Sequence, residues 1–309
     1  MKLSRRKVIV SCAVNGPAHT PSMSDSLPYS KEQIIRHAVE AARAGASILH
    51  LHACDPADGS PTEDTAVLDD LLPAIAAQTD AIISAMPAAP ERKPELISLG
   101  MGSSNHAFGK AVRGISKWKF AWEKPYLEAS EDGVHRNSFR DIKTMMARLA
   151  DADETRCQFD CRDLGHLYSL AQLIDEGLVM GPLFLQCSLG MAGGLNSDPE
   201  NLFLFRSTAD RLFGRENYEF SVLAAGRQQI PLVTMGAVMG GHVRVGLGDS
   251  LYLGKGLLAT SSAAQVLKIR RILEELSFEI ASPEEARAIL QIRSARVSGV
   301  ANREVGLNG

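Results

Sequence analysis

Ser47-Ile48-Leu49-His50-Leu51-His52-Ala53-Cys54-Asp55 is a short apolar run that carries two imidazoles two residues apart. A run of this length and composition predicts a buried β-strand. Positions i and i+2 of a strand face the same side, so His50 and His52 can approach one metal ion together. The alternative interpretation is a pair of core histidines that are satisfied by hydrogen bonds.

The predicted strand belongs to a pattern of strand, loop and helix that repeats along the chain. Apolar periodicity predicts strands at 7–14, 47–53, 81–86, 96–101, 156–162, 182–189, 218–225 and 242–247. It predicts helices at 31–43, 65–78, 138–152, 164–178, 199–213, 228–239, 261–278 and 282–290. Eight alternating units predict an α/β fold, a (β/α)8 TIM barrel in a single domain spanning 1–309. The competing open, doubly wound sheet is disfavoured, because no Gly-x-Gly-x-x-Gly follows the first strand.

Two parts of the chain depart from regular alternation. Residues 102–137 read as an irregular excursion after the fourth strand, in which Trp118, Trp122 and Tyr126 are expected to pack over the barrel. The segment 282–290 is predicted to be an extra C-terminal helix, because Ser282 and Glu285 have the spacing of a helix cap.

Composition narrows the class of protein. The 309 residues are 45% hydrophobic and 22% charged, with a net charge of −3, and they include no long basic run, so a nucleic-acid partner is not indicated. The short apolar run after the basic N-terminus predicts neither a signal peptide nor a membrane span. Five cysteines, an odd number, are typical of reduced thiols and predict a cytoplasmic protein.

Barrel active sites form at the C-terminal ends of the strands, and polar residues cluster at those positions here. The candidates at the strand ends are Asn15, His50, His52, Ser84, Ser103, Asp160, Asp163, Ser188, Arg227, Arg244 and Asp249, and Asn105 lies close to Ser103 in the sequence. This clustering favours the metal interpretation of His50 and His52. Arg244 and Asp249 can hold a substrate carboxylate and accept a proton, or they can form a structural ion pair that closes the barrel. Asp163 is expected to cap a helix.

Motifs along nearly the whole chain resemble those of one enzyme family. They are Ala13-Val14-Asn15-Gly16, His19-Thr20-Pro21-Ser22-Met23-Ser24, His50-Leu51-His52, Gly102-Ser103 with Asn105, Tyr126-Leu127-Glu128, Asp163-Leu164-Gly165-His166-Leu167-Tyr168, Gly226-Arg227, and Gly240-Gly241-His242-Val243-Arg244-Val245-Gly246-Leu247. The chain is similar in these motifs to the zinc-dependent β-keto acid cleavage enzymes.

The resemblance implies a TIM barrel, a homotetramer, and a retro-Claisen-type reaction in which a β-keto acid and acetyl-CoA give acetoacetate and a new acyl-CoA. It implies that His50 and His52 bind zinc and that Arg244 and Asp249 assist proton transfer. It further implies that Ser103 contacts the substrate. Asn15, Ser84 and Asn105 are further candidates for substrate binding because their polar groups lie near strand ends.

The chain departs from the family pattern at the third zinc ligand. The family's glutamate before the aspartate is Gly248 here, and a glycine has no side chain to donate. The Gly-rich loop after the third strand is replaced by a shorter segment that includes 85–90. Asp249, Asp160, Cys54 or water could take the place of the missing ligand, because zinc accepts nitrogen, oxygen and sulfur donors.

Two functional classes therefore follow from the sequence. One is an active, divergent, metal-dependent β-keto acid cleavage enzyme. The other is a catalytically impaired paralogue that binds a keto acid or an acyl-CoA. An amidohydrolase-type barrel is weaker, since its His-x-His belongs on the first strand.

Overall fold

The computed structural model describes residues 7–86, 89, 94–105, 107–150 and 155–292. Eight parallel strands form one sheet in the order β3-β2-β1-β8-β7-β6-β5-β4. They are β1 (Val10–Ala13), β2 (Ile48–His52), β3 (Ile82–Met86), β4 (Leu96–Gly100), β5 (Arg156–Cys161), β6 (Leu183–Leu189), β7 (Tyr218–Ala224) and β8 (His242–Val245). The end strands β3 and β4 lie against each other, so the sheet is nearly closed as a barrel. The predicted (β/α)8 fold and all eight strands are confirmed.

Alternation along the strands separates the barrel interior from the helix layer. Ile48 packs with Ile82 and Phe184 in a small cluster of interior side chains, whereas Leu49 and Leu51 join the large core beneath the helices. Because side chains alternate along a strand, His50 and His52 point inward with Ile48. The fold therefore turns both imidazoles into the barrel.

The helices are α1 (Lys31–Ala44), α2 (Leu71–Ala76), α3 (Glu123–Ala129), α4 (Phe139–Ala150), α5 (Leu164–Asp175), α6 (Pro199–Phe213), α7 (Gln229–Val238), α8 (Ser262–Glu275) and α9 (Pro283–Leu290). The single helix predicted at 65–78 is wrong. A 3-10 turn over Thr65–Leu68 precedes α2 instead. Pro73 lies in the first turn of α2, where its missing N–H is tolerated, and a longer helix would have placed it in the interior.

The extra C-terminal helix is confirmed as α9. Ser282 and Glu285 form its capping box. Ala286 and Leu290 pack against Ile9, Ile48 and the rest of the interior cluster. Helix α9 therefore covers the N-terminal end of the barrel and leaves the C-terminal end for chemistry.

The excursion at 102–137 is more regular than predicted. It contains α3, a 3-10 helix over Gly109–Gly114, and an antiparallel pair of short strands, Ser104–Asn105 with Val134–His135. Such short elements lack the periodicity by which sequence predicts structure, and tertiary contacts hold them in place.

The excursion is tied to the loops after β1 and β2. The buried carboxylate of Glu123 accepts hydrogen bonds from the Ser22 amide at 2.8 Å, the Ser22 hydroxyl at 2.7 Å and the Phe120 amide at 2.9 Å. Tyr126 donates to the Pro17 carbonyl at 2.9 Å, and the Trp122 indole to the Asp58 carbonyl at 3.3 Å. The predicted packing of these two aromatic residues over the barrel is confirmed.

No helix in the described part of the chain has the length and apolarity that a membrane crossing requires.

Candidate active site

A cavity of about 720 Å³ opens at the C-terminal end of the barrel, below the excursion. Its polar lining includes Asn15, His52, Asn137, Asp160, Arg162 and His166, and its apolar lining includes Leu27, Tyr29, Met86, Phe108 and Met145. A volume of this size, with a few polar groups on an apolar wall, is typical of sites for small ligands.

Asn15 fixes the end of β2 beside this cavity. Its amide Nδ2 donates to the His52 carbonyl at 2.9 Å, and its Oδ1 accepts from the His52 amide at 2.9 Å. The Asn15 side chain thus continues the ladder between β1 and β2 for one more residue. This pairing holds His52 at the cavity wall. Asn15 therefore positions this histidine.

The two histidines differ in exposure. His52 lines the cavity, whereas His50 is only 3% exposed and its Nε2 has no hydrogen-bond partner among the described residues. Buried polar atoms are normally paired, so an unpaired ring nitrogen at this place fits a metal ligand. The alternative of a core histidine satisfied by hydrogen bonds does not describe this nitrogen.

Electrostatics keep both imidazoles neutral. Burial lowers the pKa of His52 to about 3, and the charges of Arg244 and Arg162 act in the same direction. Burial, again with Arg244, holds the pKa of His50 well below its usual range. A neutral imidazole has the lone pair that a metal ion requires.

Arg244 on β8 and Asp249 in the turn after it form a bidentate pair. Nε donates to Oδ2 and Nη2 to Oδ1, each at 2.9 Å, and both side chains are largely buried. Between them the backbone turns at Gly246, whose φ of 135° is left-handed and favours glycine. The pair predicted from the sequence is therefore present. Neither residue is part of the cavity lining, and the charge of Arg244 acts on both imidazoles.

Gly248 lies where the backbones of two loops touch. A Cβ added to Gly248 would lie 2.3 Å from the Asn15 carbonyl oxygen and 3.1 Å from the Ala13 Cβ. One added to Gly16 would lie 3.0 Å from the Gly248 carbonyl oxygen. The space that a glutamate would need is filled by Ala13, the last residue of β1, and by Asn15 just after it.

No third donor takes the place of that glutamate in the described ranges, where no cluster of three His, Cys, Asp or Glu residues could hold a metal ion. Burial raises the pKa of the Cys54 thiol to about 11, and Cys54 donates to the Tyr29 carbonyl at 3.5 Å. The thiolate that metals bind is therefore disfavoured. Asp160 and Asp249 are each engaged by an arginine.

The remaining predicted residues lie in different surroundings. Ser84 is buried and faces His50 across the β2–β3 ladder. Ser103 and Asn105 are exposed and do not line the cavity, and the Ser103 hydroxyl accepts from the Asn137 amide at 2.8 Å. Asp163 accepts from the Gly165 amide at 2.8 Å, which confirms it as the cap of α5. The substituted loop at 85–90 lies mostly outside the described residues.

Sequence reasoning missed four residues of the cavity wall. They are His135, Asn137, Arg162 and His166. Asn137 and His135 reach the site only because the excursion folds back over the barrel. The sequence did contain a signal for Arg162. Asp160 and Arg162 are spaced i, i+2 at a strand end, as His50 and His52 are, so both face the same side.

A sequence model of the beta-keto acid cleavage enzymes matches residues 7–292. The chain belongs to the β-keto acid cleavage enzyme family. It is therefore an enzyme that cleaves a carbon–carbon bond of a β-keto acid and transfers one of the fragments.

Among named members of the family, the 3,5-dioxohexanoate:acetyl-CoA acetone transferase of Paraburkholderia graminis is 45% identical over 305 residues, covering 94% of this chain and 98% of that protein. The 3-dehydrocarnitine:acetyl-CoA trimethylamine transferase of Rhizobium meliloti is 29% identical over 320 residues, covering 93% and 97%. The 3-keto-5-aminohexanoate cleavage enzyme of Acetoanaerobium sticklandii is 29% identical over 301 residues, covering 93% and 98%.

The fold is also that of a solved structure, the ternary complex of ObcA with a C4-CoA adduct and oxalate. It superposes with a TM-score of 0.65 at 16% identity and covers 87% of this chain and 68% of that chain. At this identity the likeness concerns the fold alone.

Proposed function

We propose that this β-keto acid cleavage enzyme condenses its keto acid with acetyl-CoA and releases acetoacetate and a new acyl-CoA. The observation that carries the proposal is that His52 lines the cavity while the charge of Arg244, which is paired with Asp249, acts on its imidazole. Relatives named as acetyl-CoA transferases support the second substrate.

We propose a 3,5-dioxo acid as the keto acid, or an acid of similar length. The support is the 45% identity to the 3,5-dioxohexanoate enzyme over almost the entire length of both chains. The cavity of about 720 Å³ exceeds a six-carbon acid and leaves room for the thioester end of acetyl-CoA.

His50 and His52 are the proposed protein ligands of a divalent metal, zinc first. The unpaired, buried Nε2 of His50 and the neutral state of both rings fit such a role. When bound, the metal would polarise the 3-oxo group of the keto acid. Two protein ligands are fewer than the three of most catalytic zinc sites, so weak binding is expected.

The Arg244–Asp249 pair is the proposed proton-transfer device. Because Asp249 is not part of the cavity lining, its carboxylate accepts the proton of C2 of the keto acid through one bridging water, and Arg244 holds the carboxylate in one orientation. C2 then bonds to the acetyl carbonyl carbon while the thioester C–S bond breaks and releases the coenzyme A thiolate. The thiolate attacks C3, and the bond between C2 and C3 breaks. The coenzyme A sulfur ends on the acyl group that contained C3, and the proton returns to the acetoacetate carbon.

One observation favours a second candidate, the catalytically impaired paralogue. Gly248 offers no ligand, and the described residues bring no third donor to the histidines. Such a chain would bind the keto acid or the acyl-CoA without turnover.

The two candidates are separated by metal analysis of the purified protein and an acetyl-CoA-dependent assay over a panel of β-keto acids. Stoichiometric metal with turnover supports the enzyme. Absence of both, with retained binding of keto acid or acyl-CoA, supports the paralogue. A Gly248→Glu variant is unsuited to this purpose, because its Cβ alone collides with the Asn15 carbonyl.

We also propose a homotetramer and a cytoplasmic location. Exposed apolar side chains on neighbouring helices, Phe203 at 56%, Leu204 at 48% and Val238 at 62%, support burial between subunits. All five cysteines are free, as in a reducing compartment. Light scattering on the eluted protein tests the assembly; a monomer would refute it.

A further inference from the structure

Arg162 stands at the C-terminal end of β5 and lines the cavity with about a fifth of its side chain exposed. Its Nε donates to Asp160 Oδ2 at 3.1 Å, and its Nη1 donates to the Ser104 hydroxyl at 3.0 Å. These bonds come from a barrel strand and from the excursion. The guanidinium is therefore held from two sides of the cavity.

Asp160 serves to fix this guanidinium. Its other oxygen accepts from the Ser188 hydroxyl on β6. Burial raises the pKa of Asp160, but the charge of Arg162 and the Ser188 hydrogen bond outweigh it and hold the pKa below the usual range. Asp160 is thus an ionised acceptor already engaged by two donors, and it orients Arg162 rather than attracting a cation.

The position of β5 in the barrel places Arg162 opposite the proposed reaction centre. In the sheet order, β5 is three strands from β2 in one direction and three from β8 in the other. In the proposed orientation, a keto acid whose reacting carbonyl lies at His52 extends its acyl chain across the cavity toward β5. The walls on the way are apolar, with Met86 and Leu99 among them.

We propose that Arg162 is a specificity-determining residue that selects β-keto acids with a second oxygen acceptor on the acyl chain, beyond the reacting carbonyl. The inference deepens the proposed function and rests on it for the orientation of the substrate. A guanidinium held by a carboxylate and a hydroxyl is oriented in advance to donate to such an oxygen. A site built to hydrogen-bond a substrate group rejects the analogue that lacks it.

The test compares two acids of equal length, 3,5-dioxohexanoate and 3-oxohexanoate, which differ only in the 5-oxo group. In the wild type, kcat/KM favours the dioxo acid. Arg162→Met should lower kcat/KM for the dioxo acid by about 10- to 100-fold and for 3-oxohexanoate by less than about threefold, given the usual strength of a hydrogen bond to a charged group. Arg162→Lys, which keeps the charge, should fall between.

Arg136→Met is the matched control. Arg136 also lines the cavity, but its side chain is 75% exposed at the rim, so the ratio between the two acids should stay at the wild-type value. Circular dichroism and thermal unfolding of each variant report whether the fold is kept. If Arg162→Met depresses both acids equally, or neither, the proposal is overturned.

A second measurement separates this inference from the proposed function. Dissociation constants for the two acids are measured by calorimetry without acetyl-CoA, in wild type and in Arg162→Met. A preference for the dioxo acid that disappears in the variant supports the role of Arg162 even in a chain without turnover. Equal binding of both acids by an active wild type refutes the role of Arg162 in selecting the substrate, and it does not affect the proposed function.

Discussion

Arg244 and Asp249 are joined by two parallel hydrogen bonds of 2.9 Å, and both side chains are shielded from solvent. Low local polarity strengthens such a charge-assisted pair, and its fork geometry permits one relative orientation of the two groups. The pair follows from a backbone turn at Gly246 that brings the residue after the strand back to the strand's own arginine.

Arg244→Lys should reduce kcat by at least about tenfold, because a lysine ammonium keeps the charge but loses the bidentate orientation of Asp249. Steady-state kinetics with 3,5-dioxohexanoate and acetyl-CoA measure the effect. Arg271→Lys on α8, a helical arginine remote from the cavity lining, is the control and should leave kcat unchanged. Wild-type kcat in Arg244→Lys would assign the pair to barrel closure alone.

His50→Gln and His52→Gln should each lower the metal content of the purified protein, since each removes one of only two proposed ligands. The protein is dialysed against zinc and then against buffer, and elemental analysis by mass spectrometry measures its metal content. This measurement does not depend on turnover. His37→Gln is the matched control, a buried histidine on α1 outside the site. Equal metal content in all three variants would refute His50 and His52 as the metal ligands.

Gly248→Ala should destabilise the fold by about 1–3 kcal/mol, which is the usual cost of adding a methyl group to a closely packed region of the protein. The reason is the 2.3 Å separation between the new Cβ and the Asn15 carbonyl oxygen. Urea unfolding gives the free energy. Gly114→Ala, with nothing within 4 Å of its added Cβ, is the control and should stay near wild type. A Gly248→Ala variant of full stability would mean that the two backbones separate easily.

Glu123 should contribute stability that depends on pH. Burial raises its pKa, but hydrogen bonds from Ser22 and Phe120 to the carboxylate outweigh burial and leave the pKa below 4.5, its ordinary value. The folded state therefore favours the ionised form. Its contribution is complete above about pH 4.5 and is lost as the pH falls through the lowered value.

Glu123→Gln should lower the free energy of unfolding at pH 7 by about 1.5–3 kcal/mol, the strength of hydrogen bonds to a charged group. The difference from wild type should shrink when urea unfolding is repeated near pH 3.5. Glu128→Gln, exposed on the same helix and 3.8 Å from Lys124, is the control and should change stability little. A gap between wild type and Glu123→Gln that is the same at both pH values would contradict the assignment.

Much of the barrel could be predicted from residue pattern. Ile48 to His52 is apolar, short and bounded by Gly45 and Asp55, and a strand follows from those features alone. The caps of α5 and α9 were also visible, because Asp163 and Ser282 act on amides within three residues. Local chemistry of this kind is complete within one stretch of sequence.

The excursion and helix α2 were less predictable. The segment around Glu123 is ordered by bonds to Ser22, about a hundred residues earlier in the chain, and no local pattern encodes such a partner. Pro73 lies in the first turn of α2 and argues against one continuous helix over 65–78, because a proline disrupts a helix interior.

By itself, the sequence determined the eight strands, the inward direction of the His50–His52 pair and the family motifs, because strand alternation and short-range capping depend on neighbours in the chain. Only the tertiary structure decided the rest. The tertiary structure brings Arg162 and Asn137 to one cavity. It also packs Gly248 so closely against Asn15 that a side chain at position 248 has no space. The distances between strand ends are set by barrel closure and loop packing, which no single stretch of sequence contains.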